Sequence, residues 1–488
     1  MRKVVFYSAL FLVIGICGGQ SVDTLSFDKA VWLVMRRSPE MVQAQMTLAQ
    51  SQATYDAAAA AQKVQVNLTL SPLSYTNDLQ LSPNDFWDTT RNIKSTGQLQ
   101  VSQPLVLTGG TVSLSGDLGW NDLYTSYSHS GENRSYDYHS TVSYSQPLLT
   151  YNQLKMNLRQ QQLTLETGEL TYAMQALAVE ASIASDYYGL YQDQMTFQIA
   201  QETYQSAKQS YDITEVGVET GKQAKADLYQ ASVTLTQSES DMKNKEITWQ
   251  NAQEALKQRL GIALDTALCL VVDTAASIVT IDLQKAVTHA LRERMELRQE
   301  AIAVENARYA LIQAKSGGAL SGNLNVSYGL VGAGQTLNNL FLNPAKNLGA
   351  SLSIQVPIWD FGANRAQVKA AGIGLKQDEL LLDNEKTTII VAVRKEYRSV
   401  QNLQEQIELA RRTLQFAALT YDVNFEKYKH GGLSAMDLNQ YQIQLSQAKS
   451  GVVTALVNYR TELLNMKVQS LWDFRKNEPA VPEFKPKE

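Results

Sequence analysis

Two hydrophobic periods share this chain of 488 residues. Six segments alternate strictly between apolar residues and small polar ones: Val64 to Leu70, Leu99 to Leu105, Val112 to Leu118, Thr141 to Tyr144, Leu324 to Leu330 and Leu348 to Val356. A period of two sends alternate side chains to opposite faces, so each segment predicts a strand with one apolar and one hydrophilic face. The stretches Leu148 to Asn343 and Ile358 to Glu478 contain no proline and are rich in Ala, Gln, Leu, Glu and Lys, which favour helix. Within them Ile183, Tyr187, Leu190, Phe197, Tyr204, Ala207 and Tyr211 step by three, four or seven, as do Leu228, Ala231, Leu235, Met242, Trp249 and Leu256. Two such seams in succession predict a helical hairpin. Its outgoing arm is about 100 Å long at ~1.5 Å per residue, too long for a compact domain.

The plan is written twice. A shift of 210 residues carries the first seam onto Val393, Tyr397, Val400, Ile407, Leu414, Ala417 and Tyr421, and the second onto Leu438, Tyr441, Leu445, Val452, Tyr459 and Met466. The same shift takes Gly221 to Gly431 and Asp227-Leu228 to Asp437-Leu438, while a shift of 256 takes Lys29-Ala30-Val31 to Lys285-Ala286-Val287. Repetition on this scale implies halves that need each other, or further copies, to close a surface. The expected organisation is a first helix over 22–63, strands and loops over 64–148, a helical hairpin over 149–260, a short irregular segment over 261–282, then a second helix over 283–316, strands over 317–358, a second hairpin over 359–472 and a tail over 473–488. The first half carries more strand sequence, because Gly109-Gly110 can close an extra hairpin. Loops are expected near residues 71–96, 119–138 and 331–347.

At the hairpin tips Gly221 and Gly431-Gly432 supply the turns, and Asp227 and Asp437 follow in the first turn of the returning helices, where a carboxylate complements the helix dipole. Arg2-Lys3, an apolar run from Val4 to Ile16 and small residues at Gly18-Gly19 form a signal peptide over 1–21, which sends the protein out of the cytoplasm. Cys17 offers the alternative of a lipidated N-terminus. With Cys17 removed, Cys269 is the only cysteine, so no disulfide within the chain is expected. After the leader no apolar run reaches the ~18 residues of a spanning helix. A barrel is still open to this chain: a soluble sandwich would turn the apolar faces inward and an outer-membrane barrel would turn them to lipid, and the alternation fits both. Net charge is -5, without a basic patch, which sets nucleic acid aside. His129, His139, His289 and His430 stand apart from any second metal-ligand motif, and no phosphate loop or nucleophile elbow occurs. No enzyme activity, metal or cofactor is expected.

The signal peptide, the duplicated strand-and-hairpin plan, the junctions Gln146-Pro147-Leu148-Leu149 and Val356-Pro357-Ile358-Trp359-Asp360-Phe361-Gly362, and the glycine-then-aspartate turns together resemble TolC-type outer-membrane factors of the outer membrane efflux protein family, over Leu25 to Trp472. The resemblance implies an α+β membrane protein: a homotrimer whose copies form one outer-membrane β-barrel continued by a long periplasmic α-helical barrel. Pro147 and Pro357 then mark the strand-to-helix junctions, where proline ends pairing and suits a first helical turn, and the segment near Gly261 to Ala276, with that beyond Phe474, forms an equatorial belt. The implied function is the channel-tunnel of a tripartite efflux or type I secretion system, served by a periplasmic adaptor and an inner-membrane efflux pump or ABC transporter. Asp437 falls in an acidic ring at the periplasmic aperture, with Asp227 and Tyr428 joining neighbouring helices in the closed state. Leu433 stands where the family's pattern has a basic linking residue and Gln440 where it has a second carboxylate, so Lys222 and Lys225 are the candidates for the missing positive charges. The competing reading is a periplasmic coiled-coil scaffold without a pore.

Overall fold

The computed structural model describes residues 23–81, 87–125, 133–272 and 278–480. The expected leader with Cys17, the last eight residues, and residues 82–86, 126–132 (with His129) and 273–277 lie outside the described residues. In chain order the elements are β1 (Asp23–Ser26), α1 (Phe27–Arg37), α2 (Pro39–Ala60), β2 (Gln65–Leu81), β3 (Trp87–Leu105), β4 (Gly110–Thr125), β5 (Asn133–Leu148), α3 (Gln153–Glu219), α4 (Lys225–Leu260), β6 (Leu268–Val271), α5 (Leu283–Glu293), α6 (Met295–Gly317), β7 (Ser321–Gly334), β8 (Ala345–Gln355), α7 (Ala363–Lys429), α8 (Ala435–Ser470), β9 (Trp472–Asp473) and β10 (Glu478–Pro479). The duplication of the hairpins is complete in backbone terms. Helices α3 and α7 are each 67 residues long and start 210 positions apart, and α4 and α8 repeat that offset at 36 residues each.

The chain divides into two compact units. Among the described residues, one comprises 46–81, 87–125, 133–170 and 296–385 and holds an antiparallel sheet of six strands in the order β2-β3-β4-β5-β7-β8. Its register aligns the alternation of all six segments. Val66, Val101, Leu114, Val142, Tyr328 and Leu348 pair in one continuous row, and the next row reads Asn67, Gln100, Ser115, Thr141, Gly329 and Asn347. One face is therefore apolar and the other hydrophilic, and the apolar row stays exposed, with Leu348 at 76 % and Val66 at 63 %. Among the described residues of this unit, nothing covers that row. Helices α3 and α6 are joined here by ion pairs, Arg159 Nε to Glu305 Oε1 at 3.0 Å and Arg298 to Glu166. Neither this unit nor the other contains a described helix long and apolar enough to cross a membrane.

Several expectations are corrected by the sheet. Residues 71–81, 87–96, 119–125 and 133–138, expected in loops, continue strands β2 to β5. Beyond the aliphatic band that face carries aromatic rings and scattered aliphatic residues, among them Tyr75, Leu79, Trp87, Trp120 and Tyr136, interrupted by Arg91, Asp122 and Arg134, so the strict alternation fades while the backbone ladder carries on; Pro72 falls at a bulge between Ser71 and Ser74. Pro147 does not end the ladder, since it still sits opposite Asn323, and Pro357 follows β8. Each precedes its helix by six residues, so neither lies in a first helical turn. The helix starts are set by side chains instead: Asn152 Oδ1 accepts from Lys155 N at 2.9 Å, and Asp360 Oδ2 accepts from Asn364 N at 2.8 Å. Asn152 also donates through Nδ2 to Val106 O at 2.7 Å, holding the β3–β4 turn in which Gly109 takes φ 79°.

Among the described residues, the second unit comprises 23–45, 171–272, 278–295 and 386–480. Its core gathers Leu33, Val34, Ile183, Tyr187, Leu190, Leu256 and Leu260, so the predicted seams are the buried faces of the helices. Strand β1 pairs in parallel with β6, and the Tyr187 hydroxyl donates to Leu25 O at 3.0 Å and Val271 O at 2.8 Å, tying both strands to α3. The stretches expected as single helices over 22–63 and 283–316 are each broken in two. Ser38 is extended because Pro39 disfavours helical geometry before it, and its Oγ caps the new helix by accepting from Met41 N at 3.1 Å. Arg294 breaks the second copy at the equivalent position with ψ 125°.

Candidate functional site at the hairpin tips

The two tips close with the same hydrogen bonds. The amides of Lys222 and Gly432 donate to the carbonyls of Gly217 and Lys427, at 2.8 and 2.9 Å, while Gly221 and Gly431 take φ 73° and 75°. This is a Schellman ending, which needs a left-handed residue and so favours glycine. The returning helices then open differently. Ser434 caps α8: its Oγ accepts from Asp437 N at 3.1 Å and donates to Asp437 Oδ2 at 2.7 Å. At the first tip the matching residue is Ala224, whose side chain cannot cap. Asp227 compensates by accepting from Ala224 N at 3.3 Å. Both aspartates thus satisfy helix starts, and Asp437 remains exposed to solvent.

Tyr428 is fully buried near the end of α7. Its hydroxyl donates to Ser210 O at 3.1 Å and shares a short hydrogen bond with the buried Thr214 hydroxyl, so it binds α7 to α3. Ala435 and Leu438 pack beside it, with Ile213, Tyr421, Phe425 and Leu433 around them. Burial raises the phenol's pKa above its ordinary value; the charge of Asp227 adds to this, and hydrogen bonds from Thr214 and Gln223 oppose it. Asp227 thus lies close enough to bear on the phenol's charge, while the hydrogen bonds of Tyr428 run to α3. The structure does not bring Lys222 or Lys225 to a carboxylate: both are exposed, and among the described residues neither forms an ion pair. Leu433 fills an apolar niche where a base would stand unpaired.

Sequence reasoning missed the partners of Tyr428 and a second polar site. Glu396 on α7 hydrogen-bonds Glu462 on α8. Desolvation first, then the bond and charge of Glu462, push the Glu396 carboxyl up to about 7, with Lys395, 3.7 Å away, pulling the other way. Asn465 Nδ2 donates to Glu462 Oε2 at 3.0 Å. The available signal was position: Glu396 directly precedes the seam residue Tyr397, and Glu462 lies three residues after Tyr459. Thr214 and Ser210 carried no comparable signal, because hydroxyls inside helices usually bond their own backbone. No group of three His, Cys, Asp or Glu that could hold a metal occurs among the described residues.

A two-faced sheet with open edges, built into the same chain as two long duplicated hairpins, defines a channel-forming outer-membrane protein. The chain belongs to the outer membrane efflux protein family, whose model matches residues 111–262 and 286–468. It is 25 % identical over 333 residues to the cation efflux system protein CusC of Escherichia coli K12, covering 67 % of this chain and 69 % of that protein. The fold is similar to the crystal structure of CusC, with a TM-score of 0.69 at 16 % identity over 91 % of both chains, and to that of the Campylobacter jejuni CmeC outer membrane channel, with a TM-score of 0.69 at 14 % identity over 94 % of this chain and 87 % of that one. The protein is an outer-membrane efflux channel of a tripartite system, with a periplasmic extension, from a family of trimeric channels. It is a transport protein and not an enzyme, and the reading as a scaffold without a pore falls away.

Proposed function

We propose that three copies of this chain form the channel and that the hairpin tips form its periplasmic gate. The observation that carries the trimer is the sheet: it exposes an apolar face, and among the described residues its edge strands β2 and β8 have no outer partner. Six strands are too few to close on themselves, since barrels start at about eight. Three copies joined edge to edge would give a wall of eighteen, apolar outward and lined by Ser, Thr, Asn and Gln. Apolar residues left exposed on the helices support the same reading, notably Tyr229, Val233 and Ile247 on α4 and Leu409, Phe416 and Val423 on α7.

In this gate, Asp437 lines the aperture as a ring of three carboxylates, which favours cations. Tyr428, with Asp227 near enough to act on its charge, ties the hairpins in the closed arrangement, and Lys222 and Lys225, exposed within the protomer, would meet the carboxylates of a neighbouring copy. A periplasmic adaptor and an inner-membrane pump of the efflux or ABC type deliver the substrate. The relatives' name adds cations to the substrates to be tried. Single-channel recording of the purified protein in planar bilayers tests the gate. Asp437→Asn should reduce cation preference and alter conductance, and Tyr428→Phe should increase the fraction of time spent open. Conductance indifferent to both changes would remove the gate from the tips while leaving the channel; unchanged conductance in Lys222→Ala/Lys225→Ala would dismiss the counter-charges alone.

A further inference from the structure

Above its aliphatic rows the apolar face of the sheet carries aromatic rings on β4 and β5 but none on β7. Leu118, Tyr138 and Gly332 pair in one row there, and Trp120, Tyr136 and Gly334 in the next. Strands β4 and β5 thus supply aromatic rings at the level where outer-membrane barrels place them against the headgroups, whereas β7 supplies two glycines. The β7–β8 loop fills the gap. A Cβ on Gly332 would lie 2.2 Å from Leu340 O, and one on Gly334 would lie 3.4 Å from Thr336 O, so the loop backbone folds directly over the positions that lack side chains. Leu340 is 1 % exposed, and the Phe341 ring meets Tyr138 edge-on at 4.9 Å. Three large apolar side chains of this loop remain uncovered: Leu337 at 49 %, Phe341 at 57 % and Leu342 at 69 %.

We infer that residues 335–344 are a membrane anchor: the loop lies on the lipid-facing side of the barrel and seats Leu337, Phe341 and Leu342 in the boundary between headgroups and acyl chains. The inference rests on the barrel reading above. The patch is continuous with rows that face lipid, through Tyr138 and Gly332. Lys346, opposite Leu330 on the same face, lies beside it and can reach headgroup phosphates. A loop held over the water-filled mouth would gain nothing from three exposed apolar residues at this level. Gly332 is then a specific device, because any larger residue there would lift the loop off the sheet.

The test uses the full-length channel in phospholipid vesicles, with Cys269, the one cysteine among the described residues, replaced by Ser. Single cysteines at Phe341 and Leu342 carry an environment-sensitive fluorophore. Leu348→Cys on the apolar row and Asn347→Cys on the hydrophilic row are the references, and lipid quenching at Leu348 checks the barrel independently of the loop. Emission at Phe341 and Leu342 should be quenched by nitroxide-bearing lipids to the extent seen at Leu348, and only weakly by aqueous iodide. Gly332→Leu should abolish lipid quenching at Leu342 and leave it intact at Leu348. Iodide quenching matching Asn347 would overturn the inference by placing the loop in water, and protection from both quenchers would overturn it by placing a neighbouring copy over the loop.

Discussion

Helices α4 and α8 are copies of one another, yet they live in different surroundings. Each has 36 residues, follows a Schellman turn and ends in a left-handed residue, Gly261 in one and Leu471 in the other. Within the protomer α8 buries twelve of its residues and α4 only four, so α8 is an interior helix and α4 a boundary one. Duplication reproduced the backbone because caps, turns and heptads act locally. Burial was not reproduced, since it depends on what each copy packs against. The apolar residues that α4 leaves exposed are what a neighbouring copy would cover.

The sharpest test of this contrast is a matched truncation. Leu445→Ala on α8 should cost roughly 2–4 kcal/mol, and Leu235→Ala, its partly exposed counterpart, less than about half of that. The shift of the helical unfolding transition measures both. Equal costs would break the comparison and show that the assembled channel buries α4 as deeply as α8.

A smaller effect comes from the polar pairs that hold each returning helix to its outgoing one. Asp186 on α3 and Glu396 on α7 occupy the same position of the repeat, 210 residues apart, and both are acids. Their partners differ: Asp186 faces Arg259, whereas Glu396 faces a second acid, Glu462. Two carboxyls in one hydrogen bond must share a proton. With the folded value at about 7, above the ordinary 4.5, the folded chain holds more protons than the unfolded chain between those values. Stability therefore declines as pH rises through that window and levels off above it. The loss is on the order of 1–2 kcal/mol, once screening by the solvent that still reaches the pair is allowed for. Glu396→Gln should flatten this dependence, read from unfolding transitions between about pH 5 and pH 8; an unchanged slope would assign it to other groups.

The caps give the smallest difference. Ser434→Ala should cost about 1 kcal/mol, and Ala224→Ser at the uncapped copy should gain a comparable or smaller amount, both read from the same unfolding transition. Opposite responses of the two tips would confirm that they differ by one cap. No gain from Ala224→Ser would show that Asp227 already does all that a serine could.

Much of this fold was legible in the sequence. The six alternating segments all became strands of one sheet, and the seam residues Ile183, Tyr187, Val393 and Tyr459 are all buried. Gly221 and Gly431 were legible as turns because a left-handed residue is a local requirement. Strand length was not, since β2 to β5 run past the aliphatic band into segments where charged residues such as Arg91, Asp122 and Arg134 break the strict alternation. The helix break at Arg294 was also hidden, as it interrupts a stretch that is helical in composition on both sides, whereas the break at Ser38 was signalled by Pro39 and went unread.

Local periodicity, turns and duplication were determined by the sequence alone, because each rests on neighbours a few residues apart. Tertiary structure decided which copies lie inside, which hydroxyls meet Tyr428, why Glu396 faces another acid, and that the β7–β8 loop folds onto Gly332. Those outcomes depend on groups distant in sequence, whose approach is set by packing and desolvation and leaves no periodic trace in the chain.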